Sequence, residues 1–168
     1  PTPIPYSPNN EKIKRLEILN LFVEKIKSKE HIETEGIFRI TGEDRLADIY
    51  YNIFKGINYS FEYLKTILLI LGTHDIITLF KKLLFDNIIK ESYFYPLITY
   101  EEIETILINL SKYIVRYSYA NKMGAVAMAN ALAMPLQNIN PIFNDMTDVE
   151  RQGQGKVFAE EIKRKIES

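Results

Sequence analysis

Arg39 lies inside Glu35-Gly36-Ile37-Phe38-Arg39-Ile40-Thr41-Gly42, a stretch with a glycine on each side, apolar residues within and one arginine. Glycine adopts backbone angles that other residues resist, so the spacing predicts a tight, shaped loop. Ile37, Phe38 and Ile40 are expected to anchor that loop to a core and leave Arg39 pointing outward. A guanidinium on a rigid loop is preorganised to meet phosphate or carboxylate with its planar fork. Taken alone, the stretch leaves a second reading open, in which Arg39 is one surface cation among 21 Lys and Arg residues.

Little else competes for chemistry. The absence of cysteine excludes disulfides, thiol catalysis and thiolate metal sites, and agrees with a reducing, cytoplasmic setting. His31 and His74 are the only histidines, which argues against a histidine-rich metal centre. Gly153-Gln154-Gly155-Lys156 has Val157 where a phosphate loop needs Ser or Thr, and no strand precedes it. Glu101 and Glu102 read as the first turn of a helix rather than as an acid/base pair. No serine sits in a nucleophile elbow, so nothing specifies an enzyme acting alone.

With 168 residues, 46% hydrophobic and 26% charged, the chain fits one globular domain. Its net charge of −1 gives no global field for nucleic acid or an anionic membrane, so attraction to a charged partner must come from a local patch. No apolar run approaches membrane-spanning length, and the proline-rich start does not resemble a signal peptide. The sequence opens on Pro1 rather than Met, so a domain cut from a longer protein is expected.

The elements that must hold the loop are read as helices. Pro1, Pro3, Pro5 and Pro8 predict an extended head, after which Asn9 or Asn10 would cap a helix over 11–29. Leu46, Ile49, Tyr50, Ile53 and Phe54 follow the helical period up to a stop at Gly56, placing a second helix directly behind Arg39. Residues 61–71 are apolar enough for a buried helix ended by Gly72, with a strand possible on periodicity alone. Thr73 would cap a helix whose apolar face runs from Ile76 to Leu84, with Asp75 in its first turn. The pattern weakens over 87–96, then Thr99 would cap a helix reaching about Tyr117. The small residues and methionines of 125–134 read as a buried central helix ended by Pro135, followed by an irregular segment over 138–155 and a charged helix over 156–166. With no strand alternation and no repeat, the fold class is all-α.

Three pieces together resemble the RhoGAP domain, the helical module that activates Rho-family small GTPases. Residues 35–42 resemble its E-G-I-F-R-x-S-G loop, with Thr41 in place of the usual serine. Asn121-Lys122-Met123 resembles its N-K-M motif at the start of a long helix, and Ile4-Pro5 its typical opening. His74-Asp75-Ile76-Ile77-Thr78-Leu79-Phe80-Lys81 resembles the segment that leads to a functional lysine. The resemblance covers nearly the whole chain in the expected order.

This resemblance implies a single-domain helical bundle that stimulates GTP hydrolysis by a Rho, Rac or Cdc42-type GTPase in its GTP-bound state. Arg39 would be the arginine finger, neutralising charge on the transferring phosphoryl group and helping to hold the partner's glutamine. Asn121 would hydrogen-bond the partner's switch region or the finger loop, with Asn121→Ala weakening binding or rate without unfolding. Lys81 would steady the loop and touch the partner, and Lys122 would join a basic rim. GTP and Mg belong to the partner, so the domain itself would need no cofactor or metal, and a monomer is expected.

Departures from the pattern are specific. Phe85 stands where a second arginine is usual, the P-E-P turn is missing, and Lys81 to Asn121 is short. A second alignment puts the functional lysine at Lys65, because Leu64-Lys65-Thr66-Ile67-Leu68 resembles L-K-x-F-L. Ala133-Met134-Pro135-Leu136 replaces G-P-x-L with its proline displaced. An inactive module of the same fold, serving as an adaptor that binds small GTPases, is therefore the alternative.

Overall fold

The computed structural model describes residues 8–56, 61–85, 93–95 and 97–168. These residues form nine α-helices and one 3₁₀ turn, with no strand among them, as the periodicity predicts. Ile4-Pro5 and most of the 87–96 connection lie outside the described residues.

Helix α1 (Pro8–Lys27) begins ahead of the expected Asn9 or Asn10 cap, because proline is well suited to a first helical position, where its missing N–H costs nothing. It buries Ile18, Leu19, Phe22, Val23 and Ile26 along one face. The predicted single helix over 11–29 is broken at Ser28, whose backbone is extended, and α2 (Lys29–Ile32) follows as one turn. Helices α3 (Asp44–Gly56) and α4 (Phe61–Ile70) come next, so the ambiguous apolar run is helical.

Helix α5 (Thr73–Leu84) is the centre of this half of the molecule, with Ile76, Ile77, Leu79, Phe80, Leu83 and Leu84 all buried. It packs against both α1 and α3. Phe22 of α1 stacks on Phe80 with ring centroids 5.3 Å apart, and Phe54 of α3 leans on Phe22 at 6.0 Å. Gly72, not Thr73, occupies the N-cap, because the Thr73 hydroxyl is used across the chain instead.

Helix α6 (Tyr100–Arg116) carries the expected Thr99 cap as a full capping box with Glu102. The single turn α7 (Ser118–Asn121) leads to α8 (Ala125–Ile139). Pro135 lies inside α8 rather than ending it. A proline here leaves the Ala131 carbonyl without its helical donor, and Ala131 borders an open cleft. After a 3₁₀ turn over Pro141–Phe143, α9 (Asp148–Glu167) starts earlier than predicted. Its capping box of Thr147 and Glu150 sets the start, and Phe158, Ile162 and Ile166 are buried. Together they offset Gly153 and Gly155, each costing about 1 kcal/mol inside a helix. Helix α9 packs on α8 and α6, giving a second half joined to the first through α1 and α6.

Candidate functional site

The loop over 33–43 joins α2 to α3, and its backbone is one tight turn. Both Arg39 N and Ile40 N donate to the Gly36 carbonyl at 2.9 Å, and Ile37 N donates to the Thr34 carbonyl at 3.2 Å. Gly36 has φ +75°, a backbone angle that favours glycine, and a Cβ there would also press on the exposed Ile40 side chain at 2.5 Å. Phe38 is left-handed too, with φ +70°, unusual for a bulky residue and costing on the order of 1–3 kcal/mol. Its ring is 1% exposed and lies edge-on to Phe80 at 6.5 Å, so burial holds the strained backbone. Ile37 is buried as expected, but Ile40 is 47% exposed, because this turn directs residues 37 and 38 inward and residues 39 and 40 outward.

Helix α5 clamps the outgoing half of the loop. Asp75, Thr78 and Lys81, three residues apart, fall along one side of the helix. Asp75 Oδ1 accepts from Glu43 N at 2.9 Å and Thr78 Oγ1 accepts from Gly42 N at 2.7 Å. A Cβ on Gly42 would stand 2.7 Å from Asp75 N, so only glycine lets the loop lie against this helix start. Lys81 Nζ donates to the Phe38 carbonyl and sits 5.5 Å from the Phe38 ring centroid. Burial holds the Lys81 ammonium below the ordinary lysine pKa of 10.5.

Asn121 holds the other half from within. Its side chain is 0% exposed; Nδ2 donates to the Ile32 carbonyl at 3.0 Å and the Ile114 carbonyl at 2.9 Å, while Oδ1 accepts from Met123 N at 2.8 Å. Its own carbonyl accepts from Gly36 N at 2.8 Å. Asn121 thus touches the 33–43 loop through its main-chain carbonyl, while its side-chain amide is turned inward on Ile32, Ile114 and Met123. The loop's start is tied to α5 as well, through His31 Nδ1 to Thr73 Oγ1 at 2.7 Å and Thr34 Oγ1 to Thr73 Oγ1 at 3.2 Å. Burial keeps the His31 pKa below 6.5, with Lys25 adding to this and Glu30 opposing it.

The Arg39 side chain is exposed and makes no hydrogen bond or ion pair to a described residue. It borders a cleft of about 750 Å³. Phe38, Arg39 and Lys81 form one wall; residues 124–127, Asn130 and Ala131 of the α8 side form the other. Gly124 caps α8 without a side-chain hydrogen bond, so first-turn N–H groups and the positive helix end open here. Two cations and no acidic side chain line the cleft among the described residues. This is the local positive patch that the net charge of −1 requires of any anion-seeking surface.

The remaining expected residues lie apart from this cleft. Lys65 is exposed on α4, 3.5 Å from Glu62, so of the two lysines it is Lys81 that touches the loop. Lys122 is exposed, in a left-handed C-cap with φ +64°, and donates to the Tyr119 carbonyl at 3.1 Å. Phe85 is 6% exposed and belongs to the core, leaving no cation at that position. Residues 153–156 are helical, so no phosphate loop exists there. Asp75 and Thr78, read in the sequence only as helix residues, enter the site through their bonds to the loop, and Asn130 enters it without having been singled out. The i, i+3 spacing of Asp75 and Thr78 ahead of Lys81 was the available signal. For Asn130 it was a lone amide in a stripe of alanines.

Among the described residues there is no group of three or more His, Asp or Glu side chains that could hold a metal, and no helix is long and apolar enough to cross a membrane. No protein-family model, curated protein or solved structure matches the chain.

Proposed function

We propose that the chain is a GTPase-activating domain of RhoGAP type, which stimulates GTP hydrolysis by a Rho-family small GTPase by supplying Arg39 in trans. The observation that carries this reading is an exposed, uncommitted arginine on a turn tied at residues 36, 38, 42 and 43. A guanidinium so placed needs little reorganisation to meet charge developing on a transferring phosphoryl group. In GTPases an arginine finger is worth roughly 10³ to 10⁵ in rate, or about 4–7 kcal/mol of barrier.

On this reading each support has a task. Lys81 fixes the Phe38 carbonyl and so the direction in which the next residue leaves the turn. Asn121 keeps the loop's start in register with the α8 wall. GTP and magnesium enter with the partner, and this chain supplies one cation to the reaction. The second reading, an inactive module that binds GTPases as an adaptor, is favoured by one observation, the buried Phe85 where the resemblance leads one to expect a second arginine.

The deciding experiment measures GTP hydrolysis by a panel of Rho-family GTPases with and without the domain. Activation of at least one member by wild type, and its loss in Arg39→Ala, is the expected result. Binding to GTP-loaded partners without any acceleration would favour the adaptor.

A further inference from the structure

We propose that Tyr119 is a modification site for a protein tyrosine kinase, and that a phosphate on it releases the entry of the 33–43 loop; the effect on hydrolysis rests on the GTPase-activating reading above. Tyr119 is 68% exposed, more than any other tyrosine among the described residues. It lies on the single turn α7, and its hydroxyl donates to Glu33 Oε1 at 3.1 Å. Glu33 is the first residue of the loop. Helix α7 therefore holds the loop entry at two points, through Tyr119 at residue 33 and through the Asn121 carbonyl at residue 36.

The transfer itself needs only ATP and the kinase. An O–P bond forms between Tyr119 Oη and the γ-phosphorus, and the bond to the bridging β-phosphate oxygen breaks with its electron pair leaving on ADP. The phenol proton passes to the kinase's carboxylate base. Of the three tyrosines whose rings follow one another along this surface, Tyr119 is the accessible one. Tyr113 and Tyr117 are half-buried, with hydroxyls 3.4 Å apart.

The surroundings make the modification a switch. A phosphotyrosine has no hydroxyl hydrogen to give Glu33 and carries a charge of about −1.5 to −2 at neutral pH. The 3.1 Å gap to Glu33 has no room for a phosphate group. Negative charge is already disfavoured at this oxygen, since the hydrogen bond to Glu33, as the largest cause, holds the Tyr119 phenol above its ordinary pKa of 10.0. Arg116 and Lys122 stand three residues before and three after Tyr119, both exposed and neither in an ion pair with a described residue. Repulsion from Glu33 and attraction to these cations act together, turning the modified ring away from the loop. Residue 33 is then untied, and Asn121 is left as α7's one hold on the loop entry.

The test incubates the chain with a broad-specificity tyrosine kinase domain and magnesium ATP, maps the phosphate by mass spectrometry, and compares treated with untreated protein. Phosphate is expected on Tyr119, with amide hydrogen exchange at Gly36, Arg39 and Ile40 faster by about threefold or more. Stimulation of the most responsive Rho-family GTPase should fall roughly threefold to tenfold. Treated Tyr119→Phe should match its untreated form in both readouts. Glu33→Gln should accept the phosphate and lose most of the response, because the repelling charge is gone. Absence of phosphate from Tyr119 overturns the proposal, as does phosphate there with unchanged exchange, or an equal response in Tyr119→Phe. If wild type stimulates no GTPase, the functional reading fails, while the phosphate map and the exchange rates still decide whether Tyr119 is a site that releases the loop.

Discussion

Two hollows flank α8, of about 750 and 770 Å³, and share Val126 and Asn130 as a common wall. They differ in charge. The Arg39 cleft has Arg39 and Lys81 with no acid among its described lining, whereas the groove toward α9 sets Arg151 and Lys156 against Asp148 and Glu160. A balanced groove is what helix surfaces produce wherever charged residues alternate. An unbalanced one leaves like charges uncompensated, and such a cost is retained where a partner supplies the opposite sign. Size alone would have ranked these hollows together; charge and the strained turn at Phe38 separate them.

Substitutions can break this contrast, beginning with the largest effect. Arg39→Ala should cut stimulated hydrolysis by roughly 10³-fold or more. Its melting temperature should move by less than about 2 °C, since the lost side chain is exposed and uncommitted. Asn121→Ala should do the reverse. Removing three buried hydrogen bonds should cost about 2–4 kcal/mol, read by urea denaturation, with activity falling because the loop loses its pin. The structure thereby revises the expectation that this variant leaves the fold intact.

Lys81→Met should lower stimulated hydrolysis about tenfold, by freeing the Phe38 carbonyl, yet leave stability within about 1 kcal/mol because a half-buried cation is replaced by an apolar side chain of similar shape. An equal loss in Lys65→Met would move the site's lysine to α4. His31 predicts a pH effect on the same scaffold. Its folded pKa lies below 6.5, so the unfolded chain binds the proton first, and stability should fall as pH drops from 6.5 to the folded value and then level off. Denaturation at pH 7 and pH 5.5 should show a smaller drop in His31→Gln. The smallest effect belongs to the balanced groove. Lys156→Glu should change half-saturation by less than about twofold, as expected for an exposed rim charge.

Periodicity made the helical class legible, together with the positions of α3, α5 and α6, because their buried faces repeat at 3.6 residues. It missed where polar groups outvote local signals. Proline and glycine marked breaks at Pro135, Gly153 and Gly155, but packing of α9 on α8 and the Thr147 capping box carried both helices through. Thr73 has the letter of a cap and a hydroxyl engaged by His31 and Thr34. The site was legible as a loop with an arginine, and its exposure was foreseen. Which way Asn121 and Ile40 face was not, because a short motif fixes residue types but not side-chain direction. For Ile40 that direction follows the turn with its left-handed Gly36 and Phe38, and for Asn121 it follows the hydrogen bonds to Ile32, Ile114 and Met123.

The central claim is that Arg39 meets charge that exists only while the phosphoryl group is in transit. Binding to a Rho-family GTPase loaded with GDP and aluminium fluoride, an anionic mimic of that group, tests it most directly. Wild type should bind this form at least 10²-fold more tightly than the GDP form, and Arg39→Ala should lose most of that preference. Equal preference in wild type and Arg39→Ala would contradict the account.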